Sequence, residues 1–236
     1  MKDIEAVIFD LDNTLYSFSD IWQEANKSMY YLFNLQEKLS YESFFNIYKK
    51  HNKNVLKEIK EKKIASKNLR NARIILTMQD LGIVFTDNDA RNYYKKMFVF
   101  ILEKIKKDNN LIDKLKKLKK NYKIYLLTNG FSKEQRKKLE KLEITNIFDN
   151  IYISAETGNS KPNKEAFLQI IKGNNLAIEK TLMVGDSYNF DIQPAKKLGM
   201  QTAFIPKKWH LDEVMIFDIN EKQYKNIDEV FGYLEN

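Results

Sequence analysis

Cysteine is absent from this chain of 236 residues. That excludes disulfide bridges and metal sites built on thiolates. No stretch approaches the roughly 20 consecutive apolar residues of a membrane-spanning helix, so no membrane partner is expected. The first ten residues, MKDIEAVIFD, carry charges inside their only apolar run and make a poor secretory signal. A cytoplasmic protein is the simple expectation. Arginine is scarce: four residues (Arg70, Arg73, Arg91, Arg136) in a chain of formal net charge +8. Arginine is the usual reader of base edges, and the lysines here are scattered among glutamates rather than gathered on one stretch. The charge therefore argues for no nucleic-acid partner, while a general positive field would still favour a small phosphate ester. Only two histidines occur, His51 and His210. They repeat no metal-ligand spacing and read as ordinary surface or partly buried residues.

Glycine and proline are also unevenly missing. From about Ser17 to Lys107 there is a single glycine, Gly82, and no proline. Apolar residues recur there at helical spacing, as in Ile74, Ile75, Met78 and Leu81, or Tyr94, Met97, Phe98, Ile101 and Ile105. The segment predicts three to five helices, with Thr86-Asp87-Asn88-Asp89 as one helix start. Its aromatic residues (Trp22, Tyr30, Tyr31, Phe33, Phe44, Phe45, Phe98, Phe100) read as helical core rather than a base-stacking platform.

Outside this segment the rhythm alternates. Glu5–Asp10 reads as a strand buried on both faces, because its apolar run is continuous. Strands are expected at Lys123–Leu127, Asn150–Ile153, Thr181–Val184 and Gln201–Ile205. Helices are expected at Leu111–Lys120, Ser132–Leu142, Lys164–Lys172, Phe190–Leu198 and Ile227–Leu234. Ser132 with Gln135 has the pattern of a capping box. Strands alternating with helices predict an α/β fold with a doubly wound parallel sheet. The expected organisation is an α/β core from 1–16 and 108–236, interrupted by an all-helical insert at 17–107.

In such a sheet ligands bind at the carboxyl ends of the strands, and four polar clusters fall there. They are Asp10-Leu11-Asp12-Asn13-Thr14, Thr128-Asn129-Gly130, Ser160-Lys161-Pro162, and Gly185-Asp186-Ser187 followed by Asp191. Each could be an ordinary turn when taken alone. Folded together they gather carboxylates, a lysine and a hydroxyl in one crevice. Carboxylates this close repel, so they must be protonated or bound to a cation. An oxygen-only donor set with few protein ligands suits Mg2+. A cation, a lysine and a hydroxyl would hold the oxygens of a phosphate. Asp10 could then attack phosphorus to form an aspartyl-phosphate, and Asp12 could protonate the leaving oxygen and later activate water.

Asp10-x-Asp12-x-Thr14, Thr128-Asn129, Lys161-Pro162 and Gly185-Asp186-(x)4-Asp191 resemble, in order, the four motifs of the haloacid dehalogenase-like (HAD) hydrolase superfamily. The helical insert after the first motif is similar to the C1-type cap of one subfamily. The resemblance covers essentially the whole chain and implies a Rossmann-like core. It implies that Asp10 is the nucleophile and a Mg2+ ligand, and that Asp12 is the general acid/base, with its backbone carbonyl reaching the metal. Thr128 and the backbone N–H of Asn129 would bind phosphate oxygens, and Lys161 would neutralise the phosphoryl group and hold Asp10. Asp186 would bind Mg2+ directly, Asp191 would support the metal, and Thr14 would order the loop. In the family, the region matching Tyr16-Ser17-Phe18-Ser19 leads into the cap, which brings Phe18 within reach of a substrate. Asp12 favours phosphoryl transfer, because dehalogenases of the family lack the second aspartate. Ser154–Lys164 resembles a segment of the branch that includes nucleoside-5′-monophosphatases and N-acylneuraminate-9-phosphatase, with Ala155 and Asn163 departing from its common residues. The expected activity is hydrolysis of a small soluble phosphate monoester, a nucleoside monophosphate first and a sugar phosphate second. A phosphomutase of the β-phosphoglucomutase type and an idle HAD scaffold are the alternatives.

Overall fold

The computed structural model describes residues 3–61, 63, 65, 68–207 and 221–235. His210 lies outside the described residues. The chain divides into two compact units: Met1–Ser19 with Ile105–Asn236, and Asp20–Lys104.

The first unit is built on five parallel strands in the order β3-β2-β1-β4-β5, where β1 is Ala6–Phe9, β2 Lys123–Thr128, β3 Asn150–Ile153, β4 Thr181–Gly185 and β5 Gln201–Phe204. Pairing on both sides explains the unbroken apolar run of β1. Ala6, Val7, Ile8 and Phe9 have no exposed surface, and burying each of the larger side chains contributes about 1.5–3 kcal/mol. The two faces are covered separately. Ala6 and Ile8 share a cluster with Ala166, Phe167, Ile170 and Ile171 of the helix Lys164–Gly173. Phe9 instead meets Phe148 and Phe231, at ring-centroid distances of 6.4 and 6.3 Å. Phe231 belongs to the helix Ile227–Glu235. This is the doubly wound α/β architecture the alternation predicts. Its register sets Phe9 beside Leu126 on one side and Val184 on the other, so the residues after β1, at the end of β2 and after β4 come out together.

The second unit is helical: α1 Phe18–Leu32 (whose first two residues belong to the first unit), α2 Tyr41–Lys60, α3 Leu69–Asp80 and α4 Asp87–Lys104. The start of α4 is fixed as the sequence suggests. The Thr86 backbone N–H donates to Asp89 Oδ2 at 2.9 Å, and the Asp89 N–H donates back to Thr86 Oγ1 at 3.2 Å. Trp22, Tyr30 and Phe44 are buried here, whereas Tyr31 stands half-exposed on the surface. His51 is buried against Asp80, with Nε2 2.9 Å from Oδ2. Among the described residues no helix is long and apolar enough to cross a membrane.

The remaining helices are α5 Asn109–Leu118, α6 Ser132–Leu142, α7 Ser154–Thr157, α8 Lys164–Gly173, α9 Gln193–Lys197 and α10 Ile227–Glu235. Two local expectations are corrected. Ser132 does not cap α6; Phe131 occupies the N-cap position without a side-chain bond. The Ser132 hydroxyl donates instead to Glu156 Oε1 at 2.6 Å, and the Gln135 amide is committed elsewhere. The helix expected at Phe190–Leu198 begins earlier, as a π-turn over Tyr188–Ile192 that passes into α9. The Ser187 side chain caps that turn by accepting from the Phe190 N–H.

Candidate active site

The tip of β1 delivers Asp10 into a buried position, 6% exposed. Its backbone N–H is spent on Val184 of β4, at 2.9 Å, so the strand ladder itself holds the residue. Its carboxylate accepts from Lys161 Nζ at 2.5 Å and from Thr14 Oγ1 at 3.1 Å. The turn after it is made by Asn13, at φ 67°, a left-handed conformation that asparagine tolerates. Asn13 Oδ1 accepts from the Ser19 N–H at 2.6 Å.

The Lys161 ammonium is also 2.6 Å from Asp191 Oδ1. Both partners are buried, Asp191 at 1% and Lys161 at 4% exposure. Burial alone would lower the lysine; the carboxylates of Asp10 and Asp191 outweigh it and hold the ammonium above its ordinary value. Asp191 Oδ2 accepts from the Ser187 N–H at 3.0 Å. A Cβ on Gly185 would lie 2.5 Å from the Asp191 Cβ, so only glycine lets the π-turn fold Asp191 back over the end of β4.

One carboxylate oxygen from each of Asp10, Asp186 and Asp191 falls within 4.8 Å of the others. Three carboxylates face one lysine, leaving two negative charges uncompensated when all are ionised. The consequence is visible in the acids themselves. Burial, opposed by Lys161 and reinforced by Asp191, raises Asp10 from 3.8 to about 7. Burial and the neighbouring Asp10 and Asp191 push Asp186 well above its ordinary value. An all-oxygen, over-negative cluster, buried at Asp10 and Asp191 and half-buried at Asp186, is what a hard divalent cation relieves, so the residues present fit Mg2+.

Asp12 keeps different company. Its Oδ1 accepts from Tyr16 Oη at 2.6 Å and Lys138 Nζ at 2.9 Å. Its Oδ2 accepts from the same Nζ at 2.8 Å and from Gln135 Nε2 at 3.1 Å. Burial and then the Asp12 carboxylate keep the Tyr16 phenol well above its ordinary pKa, and so protonated and donating. Phe18 does not stand free: the Lys138 ammonium lies 3.7 Å from its ring centroid.

Thr128 ends β2 in a buried position, and its hydroxyl accepts from Gln135 Nε2 at 2.6 Å. The Asn129 side chain clamps the loop that carries Lys161: Nδ2 donates to the Lys161 carbonyl and Oδ1 accepts from the Lys161 N–H, both at 2.9 Å. The structure thus brings Asp10, Asp186, Asp191 and Lys161 together, with Thr14 bonded to Asp10. Gln135 links Thr128 to Asp12.

Neither Gln135, read from sequence only as part of a capping box, nor Lys138 was expected at the site. They sit at i and i+3 on α6, on the same buried face as Leu139 and Leu142. A glutamine and a lysine occupying two positions of an otherwise apolar helical stripe was the available signal.

A sequence profile of the haloacid dehalogenase-like hydrolases matches residues 4–199. The chain belongs to that family. Among curated relatives, glyceraldehyde 3-phosphate phosphatase of Methanocaldococcus jannaschii is 31% identical over 224 residues, covering 89% of this chain and 88% of its own. Pyrimidine 5′-nucleotidase PynA of Streptococcus pneumoniae is 26% identical, covering 96% of this chain and 91% of its own. The structure of the HAD-hydrolase YfnB of Bacillus subtilis, bound to magnesium, superposes with a TM-score of 0.79 over all of both chains at 23% identity. At that identity the likeness to YfnB concerns the HAD fold. This chain is accordingly an enzyme, a HAD-like hydrolase.

Proposed function

We propose that this HAD hydrolase is a cytoplasmic Mg2+-dependent phosphatase of small phosphate monoesters, acting through a phosphoryl group on Asp10. The observation that carries the reading is the pairing of two carboxylates two residues apart in contrasting settings. Asp10 is buried at a strand tip against Lys161, whereas Asp12 lies in a separate cradle and keeps a side chain 21% exposed. One is fixed for attack and the other is placed to exchange protons.

In the first half-reaction an Asp10 oxygen forms a bond to phosphorus. The ester P–O bond breaks, its electron pair stays on the leaving oxygen, and that oxygen takes a proton from Asp12. In the second, a water oxygen bonds to phosphorus and gives its proton to Asp12, and the aspartyl O–P bond returns its pair to Asp10. Lys161 and the Thr128 hydroxyl neutralise and orient the phosphoryl oxygens, with the Asn129 N–H beside them. Asp10, Asp186 and the Asp12 carbonyl would hold Mg2+, with Asp191 in support. Bound there, the ion would shield the charge of the incoming phosphate from that of the carboxylates.

The helical unit Asp20–Lys104 is assigned the part of a cap that selects substrate. The relatives support the substrate class proposed here, one being named for a triose phosphate and one for pyrimidine nucleotides. A nucleoside monophosphate is the first choice and a short sugar phosphate the second. Phosphate release from a panel of both, with and without Mg2+, tests the reading. Mg2+-dependent release that vanishes in Asp10→Asn is the expected result. Full activity in Asp10→Asn, or phosphate moved between positions of one sugar with little free phosphate, would overturn it, the latter in favour of a mutase.

A further inference from the structure

We propose that Lys138 is a positioning residue for the proposed reaction: it fixes the Asp12 carboxylate, and proton transfer through Asp12 depends on it. The proposal rests on the phosphatase reading above. Four donor contacts converge on Asp12, and one ammonium supplies two of them, at 2.9 and 2.8 Å. The lysine is itself confined. Its side chain is 5% exposed, its charge sits 3.7 Å from the Phe18 ring centroid, and it emerges from the buried face of α6.

The second anchor is confined as well. Gln135 bonds both Asp12 and Thr128, at 3.1 and 2.6 Å. Its Cδ lies 3.1 Å from where a Cβ on Gly130 would stand, so any side chain there would press on the glutamine. Gln135 therefore ties the proposed proton donor to a proposed phosphate-binding residue. An exposed lysine making the same pair would contribute little and hold nothing still. A buried ammonium is costly to desolvate and is a weak source of stability, while the rate of proton transfer depends steeply on placement. The geometry therefore points to a role in catalysis, exerted through Asp12.

The test uses the full-length protein saturated with Mg2+ and two probes. p-Nitrophenyl phosphate expels a phenolate that needs no proton, whereas an alkyl monoester from the substrate panel does. Lys138→Met should give a burst of nitrophenolate equal to the enzyme present, because attack by Asp10 survives. Steady turnover should then fall about 10- to 100-fold, part of the 10²–10⁴ that acid–base catalysis supplies, with KM changed less than about threefold. Alkyl monoester turnover should fall at least as far, without a burst. Lys138→Arg, which keeps charge and donors, should recover most of the loss. Asp12→Asn is the reference. If it shows no such pattern, the assignment of Asp12 has failed; if it does and Lys138→Met turns over like the parent, or loses burst and turnover alike, the inference about Lys138 has failed. Should Lys138→Met not fold, Lys138→Gln takes its place: the same burst followed by slow turnover is expected, and turnover like the parent's would overturn the proposal.

Discussion

The carboxylate cluster makes a quantitative claim about stability in the metal-free protein. Asp10 has a folded-state pKa of about 7 against an ordinary 3.8, chiefly because it is buried. Between those values the folded state binds more protons than the unfolded chain, so stability must fall as pH rises. Integrating the two titrations from pH 5 to pH 8 gives a loss of about 2 pK units, or about 2.7 kcal/mol at 1.36 kcal/mol per unit. Asp186 is shifted in the same direction and adds to the loss. Lys161 is shifted up, and its contribution is lost only above the ordinary lysine range, outside this window. The lowered acids Asp80, Asp89 and Glu156 act below pH 5. The assay is urea unfolding at pH 5 and pH 8 in chelator, on the parent and on Asp10→Asn. The parent should lose at least about 2.7 kcal/mol over that range, and the variant should lose much less, since it removes one charge and relieves Asp186 as well. A Mg2+ concentration about 100-fold above its Kd should return about 2.7 kcal/mol at pH 8. Parallel pH slopes in the two proteins would refute the claim that Asp10 is held against its own charge.

Lys161→Met should leave Asp10 and Asp191 buried without a counter-charge and cost about 3–5 kcal/mol near pH 8, measured by urea midpoint, with turnover lost as well. Gly185→Ala should drive a Cβ to within 2.5 Å of the Asp191 side chain; a stability loss of about 1–3 kcal/mol and weaker Mg2+ binding by calorimetry are expected, and a neutral result would show that the π-turn can shift. Tyr16→Phe removes one donor to a charged acceptor that keeps Lys138, Gln135 and some solvent, so the thermal melt should report a loss near the low end of the range, about 1.5 kcal/mol.

What could be read from sequence divides along a physical line. The β1 strand was legible because burial on both faces demands an unbroken apolar run, and Val7-Ile8-Phe9 has no other use. Asp10, Thr128 and Asp186 were legible because parallel topology forces strand ends to one edge, so a polar residue at each end is a message about that edge. Lys138 and Gln135 were not, because helical periodicity reports only which face is buried, and a lone polar residue on that face looks like noise until its partner is known. The same limit explains Ser132. A serine three residues before a glutamine satisfies the local pattern of a capping box, but Thr128 and Asp12 compete for Gln135 and win, since they would otherwise be left with fewer donors in a buried place. Ser132 is then free for Glu156. The failed capping box and the Asp12 cradle are therefore linked: the glutamine that would have closed the box with Ser132 is the one that ties Asp12 to Thr128. Local rules give way where a long-range polar contact has more to lose, which makes the failed cap itself an argument that the Asp12 cradle was the stronger constraint on this helix.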